Sequence, residues 1–281
     1  MNLQTGNEIK HIDINDAQQW IMGPDWWVDI TGIPGITPGY IYELFGRPDS
    51  GKSSTAQFFM VQAQLSDWAV ILVDAERKFP YNRYQSMGGD LETLFVVTGD
   101  TIEQNFDNLE KIQRAIHEEE PDRKILIIYD SVSVGASQAE LEKETLDPQT
   151  MADQAKVLKR MLRRQLGLLH SHNAAFVAVN QCYSRIGSPG QQPAGGQGLE
   201  FAKAISVQFT RKENQERVAG GQKIKFGIVT NVQVSKNHLM QGESVIKEVL
   251  VSITSTENKL HAKKTKASAA ALKAMGAEND E

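Results

Sequence analysis

Short apolar runs alternate with amphipathic stretches from about residue 26 to residue 256. Nearly continuous apolar runs are typical of strands buried on both faces of a sheet, and they predict strands at 40–45, 69–73, 94–97, 124–129 and 174–179. Apolar residues spaced by three to four positions predict helices at 53–65, 102–118 and 150–170. This alternation predicts an α/β fold with a mostly parallel central sheet flanked by helices.

Composition divides the chain of 281 residues into three parts. Residues 1–25 are polar apart from one short apolar stretch, which predicts a small N-terminal appendage and a possible subunit contact. Residues 26–257 form the predicted core, and 40% hydrophobic residues are enough to bury one core of that size. Residues 258–281 are rich in Lys and Ala and end in acidic residues, so we expect a flexible, solvated tail.

Charge and hydropathy limit the kinds of partner that this protein is expected to bind. No window approaches the ~18 consecutive apolar residues of a transmembrane helix, so we expect no membrane partner. The N-terminus lacks the apolar segment of a signal peptide, and a single cysteine, Cys182, fits a reducing compartment. We therefore expect a cytoplasmic protein. The formal net charge of −5 means that any nucleic-acid binding must use a local basic surface.

The strongest chemical signal is the segment GRPDSGKS at 46–53, which lies between a predicted strand and a predicted helix. That context is the one a phosphate loop requires, because its glycines let backbone N–H groups approach a nucleotide phosphate. Lys52 adds a positive charge, and the Ser53 hydroxyl is placed to bind Mg²⁺. The sequence thus predicts a site for ATP with Mg²⁺. The predicted ATP contacts in this segment are Gly46, Arg47, Pro48, Asp49, Ser50, Gly51, Lys52, Ser53 and Ser54.

Two acidic residues follow neighbouring predicted strands. Asp130 closes the strand 124–129, where a carboxylate can hold Mg²⁺ through water or can simply cap the next turn; the phosphate loop favours the metal role. Glu76 follows the strand 69–73 and can polarise the water that attacks the γ-phosphate, or it can be an ordinary surface glutamate. For Asp74 we favour a turn-capping role.

The order of these parts resembles the RecA family of recombination ATPases over about residues 26–256. The resemblance is carried by GIPGITPG at 32–39, the phosphate loop, VDAE at 73–76, Asp130-Ser131, AVNQ at 178–181, GGQGLEF at 195–201 and VQVSKNH at 232–238. The short form of the chain, with MGGD at 87–90 ahead of the strand 94–97, is most similar to phage recombinases of the UvsX type.

The resemblance implies a RecA-type P-loop core and a DNA-dependent ATPase. Such a protein would polymerise on single-stranded DNA as a filament and exchange strands with duplex DNA during recombination and repair. It would work in the cytoplasm of a bacterial or phage-infected cell.

The resemblance also implies roles for individual residues. Glu76 occupies the position of the catalytic glutamate, and Lys52 and Gln181 complete the catalytic set. Gln181 would sense the γ-phosphate and begin the second DNA-binding loop. Phe201 would couple that loop to the ATP site across a subunit interface, and Lys236 would reach the ATP of the neighbouring subunit.

Two segments are the expected DNA-binding loops, one near 143–149 and one at 182–197. The second contains so much Gly, Pro and Ser at 183–196 that we predict a loop without packed secondary structure. An arginine there can meet a phosphate and a tyrosine can stack on a base, although a loop of this length can also be disordered. The candidate DNA contacts are Tyr183, Arg185, Gly195 and Gly196.

The chain departs from the family pattern at two interface positions, where Glu200 replaces a basic residue and His238 replaces a lysine. Three other functions stay open, and the two departures favour the first of them. The protein can be an accessory ATPase that anneals or remodels without strand exchange, a ring-forming helicase or translocase, or a scaffold whose hydrolysis serves assembly.

Two pairs of adjacent residues carry further expectations. Arg83 and Tyr84 both lie in the region expected to contact adenine, and the sequence does not choose between them. Trp26 and Trp27 adjoin an apolar segment, so we predict that both belong to the core.

Overall fold

The computed structural model describes residues 20–141, 149–184, 191–193, 196–219, 222–240, 246–252 and 260–262. The helices are α1 Asp25–Thr31, α2 Lys52–Leu65, α3 Tyr81–Ser86, α4 Ile102–Glu119, α5 Gln138–Leu141, α6 Gln149–Ser171 and α7 Gly196–Ala202. The strands are β1 Ile21–Met22, β2 Gly35–Ile36, β3 Ile41–Gly46, β4 Ala69–Asp74, β5 Leu94–Val97, β6 Ile125–Asp130, β7 Ala174–Ser184, β8 Gln191–Pro193, β9 Ile205–Ala219, β10 Gln222–Asn237, β11 Ile246–Ser252 and β12 Leu260–Ala262.

A single large sheet has the strand order β12-β11-β10-β9-β3-β7-β6-β4-β5. The six strands from β9 to β5 are parallel to one another, whereas β10, β11 and β12 continue the sheet in antiparallel pairing. Helices flank the parallel part, because a parallel connection needs a crossover that the intervening helix supplies. The predicted α/β fold with a mostly parallel central sheet is confirmed.

The carboxyl ends of the parallel strands meet at one edge of the sheet. Gly46 at the end of β3 pairs with Gln181 on β7, and Asp130 at the end of β6 pairs with Asp74 on β4. Residues that are far apart in the sequence are therefore neighbours at this edge, where ligands of open parallel sheets bind.

Two apolar cores cover the two faces of the sheet. One packs α2 and the N-terminal elements against the sheet, and the other packs α4 and α6 against the opposite face. Trp26 and Trp27 are both completely buried in the first core, with the Trp27 ring 4.9 Å from that of Phe59 in edge-to-face contact. The core position predicted for the two tryptophans is confirmed. Trp20 and Ile21 are buried in the same core.

The segment 183–196 contains more regular structure than its composition predicts. β7 continues to Ser184 and pairs in antiparallel fashion with β8, with Tyr183 opposite Gln192, and α7 begins at Gly196. The prediction of a loop without packed secondary structure is wrong for these residues, because backbone pairing with a long neighbouring strand outweighs their weak intrinsic preference. Residues 185–190 and 194–195, which include Arg185 and Gly195, lie outside the described residues.

Among the helices of the described ranges, none is long and apolar enough to cross a membrane.

Candidate nucleotide-binding site

The phosphate loop joins β3 to α2, as the sequence predicts. Gly51 precedes the helix with a φ of 100°, a left-handed backbone conformation that a side chain disfavours. A Cβ atom on Gly46 would lie 2.3 Å from the carbonyl oxygen of Phe209, so only glycine fits between β3 and β9 at this point. Both glycines of the motif are thus required by the backbone itself. Arg47, Pro48 and Asp49 are exposed, and Ser50 is buried.

Lys52 is buried at the start of α2, and its ammonium group donates a 2.8 Å hydrogen bond to the carbonyl oxygen of Arg47. Burial lowers the pKa of this ammonium group, and the carboxylates of Asp130, Glu76 and Asp49 act in the opposite direction. The charge is held inside the loop, where it is available to an anionic ligand.

Asp130 lies beside the loop and accepts a hydrogen bond from the Ser53 hydroxyl. Desolvation raises the pKa of Asp130 to about 6, with further increases from the charges of Glu76 and Asp74. The Ser53 hydrogen bond and the Lys52 charge lower this pKa but do not compensate for burial. A carboxylate whose ionised form is disfavoured by burial in this way is a candidate for binding a cation.

Glu76 is oriented by two donors. Its Oε1 atom accepts hydrogen bonds from the Ser131 hydroxyl at 2.8 Å and from the Gln181 amide at 3.1 Å. The Oε2 atom lies 3.8 Å from the ammonium group of Lys78. One carboxylate oxygen is thus held in place while the other faces an exposed lysine.

Asp74 has the capping role that the sequence predicts. Its two carboxylate oxygens accept the backbone N–H groups of Lys78 and Phe79, each at 3.1 Å. These bonds fix the turn that carries Glu76.

The predicted residues converge on a cavity of about 300 Å³. Its lining includes Lys52 and Ser53 of the phosphate loop and Glu76, Asp130 and Gln181 from the neighbouring strand ends. Oxygen ligands are the donors that Mg²⁺ prefers, and the Ser53 hydroxyl with the raised-pKa carboxyl of Asp130 supplies such a pair. The residues therefore fit a nucleotide phosphate chain with Mg²⁺.

The structure distinguishes the two adenine candidates. Tyr84 is completely buried, and its hydroxyl donates to Gln64 at 2.7 Å, so its ring cannot meet a ligand in the cavity. Arg83 lines the cavity and donates a 3.0 Å hydrogen bond to the Ser54 hydroxyl on the first turn of α2.

Other predicted residues lie away from the cavity. Lys236 is on β10, where its ammonium group donates to the backbone carbonyl of Glu200. Phe201 is on α7 with 75% of its surface exposed. Tyr183 and Gly196 lie in β7 and α7, respectively. The expected first DNA-binding loop near 143–149 falls almost wholly outside the described residues.

Two features were missed by sequence reasoning. Ser131 holds Glu76 in place, but a serine after a strand has no distinctive signal. Glu43 is fully buried in β3, the strand that leads to the phosphate loop, and it accepts a hydrogen bond from Lys203. The sequence did contain a signal for Glu43, since a charged residue inside an otherwise apolar strand requires a buried partner.

Comparison with known proteins adds independent information. A family model described as the RecA N-terminal domain matches residues 11–257. Protein RecA of Helicobacter acinonychis is 28% identical over 228 residues, which is 77% of this chain and 64% of that protein. Protein RecA of Helicobacter hepaticus is 29% identical over 230 residues and that of Sulfurimonas denitrificans 27%, with the same shares covered.

The chain thus spans 64% of the length of these curated relatives. The family match covers the phosphate loop, all the strand ends that line the cavity, and both Phe201 and Lys236. This chain belongs to the RecA N-terminal domain family.

Proposed function

We propose that this chain is an ATP-dependent DNA recombinase. It polymerises on single-stranded DNA, hydrolyses ATP with Mg²⁺, and promotes pairing and strand exchange with homologous duplex DNA. Within the family we assign it to the phage recombinases of the UvsX type, working in the cytoplasm of an infected cell. Membership of the RecA N-terminal domain family and the similarity to Protein RecA of two Helicobacter species support the recombinase activity. The MGGD segment at 87–90 supports the UvsX-type assignment.

One observation carries the proposal. Five residues from separate segments of the chain line one cavity, namely Lys52 and Ser53 at the start of α2, Glu76 after β4, Asp130 at the end of β6 and Gln181 on β7. A carboxylate oriented by two donors beside a phosphate loop is what hydrolysis of a terminal phosphate needs, whereas nucleotide binding alone does not need it.

The chain's residues divide the chemistry between them. The phosphate-loop N–H groups and Lys52 bind and orient the β- and γ-phosphates and stabilise the charge that develops on them. Ser53 and Asp130 would hold Mg²⁺, which supplies further neutralisation of phosphate charge. Glu76 orients the attacking water with the oxygen that Ser131 and Gln181 leave available.

Gln181 provides the link to DNA. Its amide binds Glu76 in the cavity, and β7 continues from it into the hairpin with β8. A shift of this amide towards a γ-phosphate would move the strand that carries the DNA-binding candidate Tyr183. Nucleotide and DNA would then each favour the state that binds the other. DNA binding through phosphates should be nearly independent of sequence and weakened by salt.

The test is ATP hydrolysis measured with and without single-stranded DNA at low and moderate salt. We expect strong stimulation by single strands, filaments on DNA in electron micrographs, and strand exchange with a homologous duplex. Lys52→Ala is the negative control for contaminating ATPase, and Lys111→Ala on the exposed face of α4 is its matched positive control. Basal hydrolysis without DNA stimulation would contradict the proposal and favour a scaffold. Closed rings would favour a translocase, and stimulation without exchange an accessory ATPase.

A further inference from the structure

The strand that leads to the phosphate loop contains a buried carboxylate. Glu43 lies three residues before Gly46, and its side chain is 1% exposed. An ionised carboxylate is stable at such a position only when charge and hydrogen bonds replace water.

Three side chains donate to Glu43, and we call the four residues together the Glu43 cluster. Oε1 accepts from Asn180 at 2.7 Å, while Oε2 accepts from Lys203 at 2.6 Å and Ser206 at 2.5 Å. Lys203 is itself only 3% exposed, so the ion pair is buried on both sides.

The side chains that donate to Glu43 come from elements with different structural roles. Asn180 precedes Gln181 on β7, which contacts Glu76 in the cavity. Lys203 follows α7, and its backbone N–H completes that helix by donating to Leu199. Through one carboxylate, the phosphate-loop strand is therefore joined to the strand of Gln181 and to the end of α7.

The outer surface of α7 is available for contact. Phe201 is 75% exposed there, and the neighbouring Glu200 pairs with Lys203 at 2.7 Å while its side chain stays 54% exposed. On its inner side α7 lies close to α6, since a Cβ on Gly198 would come within 2.6 Å of Lys159. The Glu43 cluster holds the remaining end of this helix.

We propose that the Glu43–Lys203 pair is a positioning element that makes the placement of α7 depend on occupancy of the phosphate loop. This inference deepens the proposed function and rests on it. Glu43, Asn180 and Lys203 are positioning residues, because they act on the cavity and on α7 through the backbone. Their contribution is to the coupling between nucleotide and DNA binding, and intrinsic nucleotide affinity does not depend on it.

An apolar pair would serve stability equally well at this location. Replacing a buried ion pair by uncharged residues of similar volume is often neutral or stabilising, whereas removing one partner is costly. A double substitution can therefore remove the ion pair without the penalty of a single unpaired charge. This separates a role in coupling from a role in folding.

The experiment compares wild type with the double variant Glu43→Gln/Lys203→Met. The control pair Lys111→Met/Glu119→Gln changes the same residue types on the exposed face of α4. Binding of a fluorescent oligodeoxythymidylate is measured with and without a slowly hydrolysed ATP analogue, and the ratio of the two affinities is the coupling factor. We expect about a tenfold smaller coupling factor in the double variant, with analogue affinity within about threefold of wild type.

Two outcomes would overturn the inference. A double variant with the wild-type coupling factor would show that the ion pair only supports the fold. A double variant that loses analogue binding would show that the cluster supports the phosphate loop itself.

A second measurement uses the unmodified protein, so it does not depend on any variant folding. Hydrogen exchange of the Lys203 amide reports on the end of α7, and the ATP analogue should slow it by about tenfold. Unchanged exchange in protein saturated with the analogue would refute the coupling. If wild type binds the analogue but no DNA, the proposed function fails. The exchange measurement still shows, in that case, whether the placement of α7 depends on occupancy of the phosphate loop.

Discussion

Asp130 on β6 and Glu43 on β3 are two carboxylates on the strands that flank β7 in one sheet, and their surroundings differ. Glu43 has three close donors, one of them a buried ammonium group. Asp130 has the Ser53 hydroxyl and a more distant lysine charge, and its pKa is raised to about 6. A carboxylate that the protein satisfies completely contributes to architecture, whereas one left partly unsatisfied beside a cavity is prepared for a ligand.

The largest expected effect concerns the cavity that Asp130 lines, where the ligand is proposed to bind. Lys52→Ala removes the buried charge of the phosphate loop, and kcat/KM for ATP should fall about a thousandfold. The thermal midpoint should not fall, because burial already opposes the charged lysine. ATPase kinetics and calorimetry on one preparation test both statements, with Lys111→Ala as the control. Near-normal turnover would refute the site.

Glu76→Gln should separate binding from chemistry. The amide keeps the shape of the side chain but cannot polarise water, so kcat should fall about a hundredfold with little change in nucleotide affinity. ATP would then persist, and the complex with single-stranded DNA should live longer. Stopped-flow release of labelled DNA measures this, with Glu119→Gln as the surface control. Unchanged turnover would remove Glu76 from the catalytic set.

For the carboxylate of Glu43, which supports the architecture, the substitution Glu43→Gln should mainly lower the stability of the fold. It leaves the Lys203 ammonium group buried, with the half-exposed Glu200 as its charged partner among the described residues. We expect a loss of about 3 kcal/mol in the free energy of unfolding. Urea denaturation with Glu119→Gln in parallel measures this loss. A variant as stable as wild type would remove the distinction between the two carboxylates.

The smallest expected effect is an increase in the free energy of unfolding, where Glu43→Gln should cause a decrease. The folded-state pKa of Asp130 is raised from 3.8 to about 6, so the folded chain binds its proton more tightly than the unfolded chain. The stability from this group is fully present below about pH 4 and is lost as pH rises through about 6. Asp130→Asn should therefore stabilise the ligand-free protein by about 2 kcal/mol at pH 8 and hardly at all at pH 4.

Unfolding curves at the two pH values test this prediction for Asp130. In the same variant, Mg²⁺-dependent nucleotide binding should weaken, because the hydroxyl of Ser53 alone is a poor cation site. A variant that is destabilised at pH 8 would contradict the proposed origin of the pKa shift.

Much of this arrangement was predictable from local pattern. Helices α2, α4 and α6 and five of the six parallel strands follow from hydrophobic periodicity within a residue or two, except that β7 runs further than predicted. The parallel strand β9 and the antiparallel strands β10, β11 and β12 were not predicted. Glu76 and Asp130 were found because strand ends of a parallel sheet share one edge. The pairing of β7 with β8 and the partners of Glu43 were not found, since both depend on contacts between distant segments. Sequence reasoning detects that a buried charge needs a partner but does not identify it.

The position of β3 in the sheet has a consequence for synthesis and folding. Its neighbours on both sides, β7 and β9, come more than a hundred residues later, with Tyr42 paired to Val177 and to Ile205. A chain that emerges from the N-terminus holds the phosphate-loop strand unpaired until both neighbours have been made. Nucleotide then acts as a ligand of the completed sheet alone, and raising its concentration should favour the folded chain by mass action. The proposed ATP site is therefore expected to form late, once nearly the whole core has assembled.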